Sequence, residues 1–143
     1  MADAKTGYGT TFKRSDTGLS GGVMTAIAKV RSLTPAKLSR GTKDVTHLES
    51  PGGYREFITD LRDGGEFSVE LYLGATDAAY DELLVDFADD DPGYYEMEMS
   101  NGAVWGYAAF ITNLEPPTIN VDGELIVSAT FKVTGQPSWT AGT

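Results

Sequence analysis

The chain contains no cysteine and only one histidine, His47, in 143 residues. The first absence excludes a disulfide framework and thiolate metal sites. The second excludes, within one chain, zinc sites built from several His or Cys and nucleophilic machinery with two histidines. No apolar run approaches the ~18 residues of a membrane-spanning helix. The opening Met1-Ala2-Asp3-Ala4-Lys5 lacks the apolar stretch of a secretory signal. A soluble chain with no membrane partner is therefore expected. Repeats and low-complexity tracts are absent too. Bases are scarce: 11 Lys and Arg stand against 21 Asp and Glu, a net charge of −10. That balance opposes a free-standing nucleic-acid binder, because phosphate affinity rests on clustered cations.

What remains is enough for one domain over 1–143, which at this length buries roughly 68–70% of its unfolded surface without staples. Its charge is unevenly spread. Residues 1–62 hold ten bases and six acids, a balance of +4, whereas residues 63–143 hold only Lys132 against fifteen acids, a balance of −14. Such asymmetry points to a positive face of one copy meeting a negative face of another.

The 17 glycines and six prolines separate short alternating runs rich in Thr, Val and aromatics, which predicts a mainly β fold. Along 66–73, Phe67, Val69, Leu71 and Leu73 share one face and Glu66, Ser68, Glu70 and Tyr72 the other. Along 124–134, Leu125, Val127, Ala129, Phe131 and Val133 are expected inward and Glu124, Ser128, Thr130, Lys132 and Thr134 outward. Tyr95, Met97 and Met99 alternate, as do Trp105, Tyr107, Ala109 and Ile111, with Asn101-Gly102 between them as a type I′ hairpin candidate and Asp122-Gly123 as a second such turn. Residues 23–33 read as one strand. Only one segment has helical period: Tyr80, Leu83, Leu84 and Phe87, with Asp77 as N-cap and an end by about Ala88, before Asp89-Asp90-Asp91 and Pro92-Gly93. Residues 1–22, with Gly7, Gly9, Gly18, Gly21 and Gly22, read as an arm, and the polar, Gly-rich 34–65 as a long functional loop.

Several residues invite chemical readings. Glu96 and Glu98 lie two apart on one strand face, a spacing open to an acid/base hydrolase but usual for a solvated face. Asp89, Asp90 and Asp91 offer oxygens for calcium, yet no D-x-D-x-D-G loop with a distal Glu follows. His47, near Asp44 and Glu49, has no Ser or Cys in a nucleophile motif and reads as a polar loop residue. Trp105, Tyr107 and Phe110 suit core or interface packing; as stacking platforms they would suit a carbohydrate-binding β-sandwich, the alternative function. No catalytic residue, metal or cofactor is assigned.

Residues 38–71 carry Arg40, then Asp44-Val45-Thr46, then Gly53-Tyr54-Arg55-Glu56-Phe57-Ile58-Thr59-Asp60-Leu61-Arg62-Asp63-Gly64-Gly65-Glu66. This run closely resembles the major tail (tail tube) proteins of long-tailed, siphovirus-type bacteriophages, which share a pattern R-x-x-x-D-V-T followed by G-x-R-E-F-I-x-G/D-L-x-D-G-G-E. The resemblance extends to the Gly-rich opening at Gly7-Tyr8-Gly9-Thr10-Thr11-Phe12-Lys13, the single helix and the last strand. The run favours this family over the inner tube of a contractile machine. It implies a β-sandwich or barrel-like tail tube fold with one flanking helix, a long loop and an N-terminal arm, and no C-terminal immunoglobulin-like domain. It also implies a non-enzymatic virion protein, assembled in the host cytoplasm into hexameric rings stacked as a tail tube. The implied partners are the chain itself, a tape-measure protein in the lumen, tail terminator and tail tip proteins at the ends, and double-stranded DNA passing without specific binding. Under that reading Arg40, Lys43, Tyr54, Arg55, Phe57, Ile58 and Arg62 are expected to meet Asp86, Asp89, Asp90 and Asp91 of a neighbour, and Glu66, Glu70, Glu96 and Glu98 to line the lumen.

Overall fold

The computed structural model describes residues 7–16, 22–27, 29–73, 79–117, 121, 123 and 125–142. Among these residues ten strands and one α-helix follow in order: β1 (Thr11–Ser15), β2 (Met24–Ala26), β3 (Val30–Thr34), β4 (Ser39–Asp44), β5 (Phe57–Asp63), β6 (Glu66–Tyr72), α1 (Ala79–Ala88), β7 (Gly93–Glu98), β8 (Val104–Glu115), β9 (Ile126–Val133) and β10 (Ser138–Thr140), with a short 3-10 turn at Pro51–Gly53. Eight strands form one antiparallel sheet with the path β2-β1-β7-β8-β9-β6-β3, and β10 adds to β8 beyond it; β4 and β5 form a separate hairpin.

The two outermost strands of that path, β2 and β3, are consecutive in sequence and only residues 27–29 separate them. Ala26 and Val30 can thus lie at most ~15 Å apart. In a flat sheet the outer strands would be about 29 Å apart at ~4.8 Å per strand, so the sheet must curl until its edges meet. Backbone bonds show the seam: Ile27 N–H donates to Phe12 O of β1 at 2.8 Å, and Tyr72 N–H of β6 donates to Lys29 O at 3.0 Å. The result is the expected sandwich-like, barrel-like fold. Lys29 makes the turn with φ of 61°, which is why residues 23–33 form two short strands on opposite edges rather than one.

The alternating runs of β6 and β9 supply the core as expected. They pair in register, Phe67 opposite Phe131, Val69 opposite Ala129 and Leu71 opposite Val127, and all six are buried. Phe67 stacks on Phe131 at 4.6 Å and on Tyr107 at 4.8 Å, and Tyr95 meets Phe131 edge-on at 4.8 Å. Burying each such ring is worth about 1.5–3 kcal/mol. Leu125, expected inward, lies before β9 and is exposed.

Phe12 completes this aromatic cluster, stacked on Tyr95 at 5.7 Å and fully buried. The segment 1–22 is therefore not simply an arm: residues 11–15 form an interior strand of the sheet between β2 and β7. The Asn101-Gly102 turn also differs from expectation. Only Gly102 has positive φ, 87°, and Gly102 N–H donates to Met99 O at 2.9 Å while Met99 N–H donates to Ala103 O at 2.7 Å. That is a three-residue hairpin with a glycine bulge, not a type I′ turn. Asp77, Asp122 and Glu124 lie outside the described residues.

Helix α1 packs against β8, and its inward line is Tyr80, Leu83 and Asp86 rather than the Tyr80, Leu83, Leu84 and Phe87 stripe. Leu83 is fully buried and Tyr80 packs on the core, while Leu84, Val85 and Phe87 are exposed. The rotation follows from charge. Arg14 of β1 has the inward parity of Phe12 and lies opposite Tyr95. Asp86 accepts from Arg14 Nε and Nη2 at 2.6 Å each and from Tyr95 OH at 2.7 Å. A bidentate charge-assisted pair of this kind fixes the helix over the sheet. It raises the Arg14 pKa, and burial together with the bond to Asp86 pushes the Tyr95 phenol well above its ordinary value.

Candidate assembly surface

The stretch 34–65, expected as a loop, is a β-hairpin that stands away from the main sheet. All residues of β4 and β5 are exposed, so neither face shows the apolar alternation that would announce a strand. Its register sets Asp44 opposite Phe57, Lys43 opposite Ile58 and Thr42 opposite Thr59, then shifts at a bulge so that Arg40 lies opposite Arg62 and Ser39 opposite Asp63.

The tip is ordered by its own polar groups. Asp44 Oδ1 accepts from Thr46 N–H at 2.8 Å, and bonds from Thr46 hold its carboxyl below the usual range. Thr46 Oγ1 accepts from Glu56 N–H at 2.8 Å and Val45 N–H donates to Glu56 O at 2.9 Å, closing the hairpin. Ser50 Oγ donates to Glu56 Oε2 at 2.9 Å, and His47 Nε2 lies 3.2 Å from the same oxygen. His47 Nδ1 accepts from Glu49 N–H at 3.2 Å, which leaves the proton on Nε2. His47 is thus a loop brace on Glu56, and its sequence neighbour Asp44 is bound elsewhere. Pro51-Gly52-Gly53 turns the chain with φ of 65° and 73° at the two glycines.

The base is tied to the barrel. Lys132 Nζ of β9 lies 2.8 Å from Asp63 Oδ1, which also accepts from Gly65 N–H at 2.9 Å, and these bonds lower the Asp63 pKa. Gly65, at φ of 81°, brings its backbone against Lys37 so closely that a Cβ there would collide with Lys37 O.

A preformed hairpin that buries none of its large apolar side chains has no folding role to account for them. Tyr54, Phe57 and Ile58 are exposed as expected for contact residues, and so are Leu38, Leu48 and Leu61, the last at 87%. These apolar side chains are left uncovered by the described residues of the subunit. Arg40, Lys43 and Arg62 have no ion pair among the described residues. Arg55 lies 3.6 Å from Asp44 across the hairpin, an exposed contact worth little.

The acidic candidates divide. Asp86 is committed to Arg14 and Tyr95 in its own chain and is removed from the intermolecular set. Asp89, Asp90 and Asp91 stay exposed after α1, with Asp91 N–H donating to Asp89 Oδ1 at 3.1 Å. The four glutamates also divide. All lie on outward strand faces, but β6 and β7 are three steps apart on the seven-strand path. Once the sheet is curled that is almost half way round, so Glu66 and Glu70 point away from Glu96 and Glu98, and one wall of a channel holds only one pair. Glu70 lies 3.0 Å from Arg31 and Glu98 2.8 Å from Lys13.

Tyr107 is buried, with its pKa raised by that burial, so it offers no stacking platform to a sugar. Trp105 stacks on Tyr107 at 5.9 Å and meets Trp139 at a tilt of 49°, with the rings 4.7 Å apart. Trp139, which the sequence reading passed over, is 51% exposed on β10 and lines an open cleft of about 1020 Å³ against the hairpin base.

Comparison with known proteins agrees with this picture. The chain resembles the tail of an empty gene transfer agent particle refined with C6 symmetry, with a TM-score of 0.71, 24% identity, and 96% of this chain and 100% of that one covered. It resembles the sheath-tube complex of the extracellular contractile injection system PVC, with a TM-score of 0.74, 11% identity, and coverage of 99% and 94%. The SPP1 tail tube superimposes with a TM-score of 0.64 at 13% identity, covering 94% and 77%. At these identities the likeness shows a shared fold. No curated protein matches by sequence. The family described as "Lambda phage tail tube protein, TTP" matches residues 6–140, nearly the whole chain, including the closed sheet, the helix and the exposed hairpin; the chain belongs to this family of structural, tube-forming tail proteins.

Proposed function

We propose that this chain is the repeating subunit of a phage tail tube, forming rings of six that stack into a hollow conduit for DNA. Membership of the tail tube family over residues 6–140 carries the reading, and the exposed, preformed hairpin supplies the contact element that such a subunit needs. The ring number follows the C6 symmetry of the gene transfer agent tail. Rings and stacks both use heterologous contacts, so two unlike faces must fit. The hairpin, with exposed Arg40, Lys43, Tyr54, Arg55, Phe57, Ile58 and Arg62, is one face; Asp89, Asp90 and Asp91 belong to the other. Either Glu66 with Glu70 or Glu96 with Glu98 lines the lumen, where carboxylates repel phosphates and leave DNA free to pass. A tape-measure protein fills the lumen before ejection, terminator and tip proteins close the ends, assembly takes place in the host cytoplasm, and the product resides in the virion tail. The role is structural and uses no catalysis.

Negative-stain microscopy across rising concentration tests this. The wild-type chain forms rings or tubes, and Arg55→Glu combined with Arg62→Glu abolishes them while circular dichroism shows an intact fold. A wild-type chain that stays monomeric at every concentration, or a double variant that forms normal tubes, contradicts the proposal.

A further inference from the structure

Two surfaces of the folded subunit are each electrostatically and hydrophobically incomplete, and each has what the other lacks. The first is the open cleft between the hairpin base and the β8–β10 edge, lined by Leu38, Arg40, Leu61, Arg62, Trp105 and Trp139 among others. Arg40 and Arg62 lie directly opposite each other across β4 and β5. Like charges in that relation repel. Two acids share the lining: Asp63 is held by Lys132, while Asp60, whose Oδ1 accepts from Leu61 N–H at 2.8 Å, keeps its charge, so the two guanidiniums still exceed the one carboxylate left to them. The apolar walls, Leu61 and Trp139, face solvent.

The second surface is the C-terminal end of α1. Leu84 is 43% and Phe87 51% exposed, neighbours three apart on one flank of the helix, because its inward line is taken by Leu83 and Asp86. The last turn has no basic residue, and Asp89, Asp90 and Asp91 follow it directly. Three carboxylates at the negative end of a helix dipole are unfavourable in an isolated subunit. An apolar flank followed by three acids is thus the counterpart of an apolar cleft that carries two guanidiniums.

We infer that the end of α1 of one copy, with Leu84 and Phe87 at its centre, seats in the Leu61–Trp139 cleft of a second copy, where Arg40 and Arg62 pair with Asp90 and Asp91. This rests on the tube reading and deepens it by naming the joint. The contact is heterologous: each copy offers one knob and one cleft, so it propagates instead of closing as a twofold dimer. It relieves a repulsion on both sides at once. Partial desolvation by Trp139, Leu61 and Phe87 makes the charge pairs count for more than exposed rim contacts.

The absence of native cysteine makes the test clean. Phe87→Cys and Leu61→Cys are introduced together, assembly is carried out under reducing conditions, and the assembled material is then oxidised and run on a non-reducing gel. Both positions are exposed, and circular dichroism with thermal melting confirms the fold. The expected result is a ladder of covalent multimers from the double variant, only monomer from each single variant, and no ladder when Ser128→Cys replaces Leu61→Cys beside Phe87→Cys. Normal tubes that give only monomer bands overturn this joint and leave the tube reading standing. A wild-type chain that forms no tubes overturns the tube reading itself, and this inference with it.

Discussion

Asp86→Asn removes one negative charge while keeping the size of the side chain, and the structure says where the cost falls. The wild-type carboxylate accepts three bonds of 2.6, 2.6 and 2.7 Å, two from Arg14 and one from Tyr95. The side chains of Arg14 and Asp86 are only 15% and 13% exposed. An amide offers one oxygen for two guanidinium N–H groups, and its NH₂ meets an Arg14 donor whichever way it turns: Nη2 in place of Oδ1, or Nε together with the Tyr95 hydroxyl in place of Oδ2. Removing one partner of a buried pair costs about 3–5 kcal/mol; with the residual solvent access here, about 2–4 kcal/mol is expected. Glu82, 3.6 Å from Arg14 Nη1, recovers a small part. Against a total stability of roughly 5–15 kcal/mol, this is a large fraction, and it lowers the melting temperature by roughly 10 °C. Urea unfolding followed by circular dichroism measures it. An Arg14→Met, Asp86→Leu double variant should recover much of the loss, because it leaves no unpaired charge. A single variant within about 0.5 kcal/mol of wild type would refute the claim that this pair holds α1 on the sheet.

Phe12→Ala opens the aromatic cluster at its β1 side and should cost about 3–5 kcal/mol by urea denaturation, whereas a true arm residue would cost almost nothing. Gly65→Ala forces a side chain into positive φ and against Lys37 O; the dihedral alone costs about 1–2 kcal/mol, and the melting temperature should fall accordingly. Asp44 and Asp63 have folded pKa values below their unfolded ones. Their contribution is therefore complete above the unfolded value near ~3.9 and is lost as pH falls through the lower folded values. Amide exchange protection at Thr46 and Gly65, whose N–H groups bind these carboxylates, should drop below about pH 4 before the barrel opens, and unchanged protection at pH 2 would contradict the assignment.

The strands that line the core were legible because each has one wet and one dry face: Phe67, Val69 and Leu71 alternate with acids, as do Val127, Ala129 and Phe131 with Ser, Thr and Lys. The helix was legible from Tyr80 and Leu83. Its orientation was not, since Asp86 turns inward to meet Arg14, 72 residues away in sequence. The strand at 11–15 hid behind glycines and a charged residue of inward parity. The hairpin was invisible for the opposite reason: β4 and β5 are wet on both faces, so no period separates them from a loop. Its residues were nonetheless marked as contacts through the 38–71 run. Trp139 and Leu61 were missed because their significance lies in a cleft that exists only after folding.

The central claim is that this chain builds a tube in which the hairpin of each copy is buried against another. Cryo-electron microscopy of the purified, assembled chain tests it most directly. The expected result is a hollow helical assembly of six-membered rings with residues 39–63 packed against a neighbouring subunit. Non-tubular particles, or tubes whose hairpins project free into solvent, would contradict it.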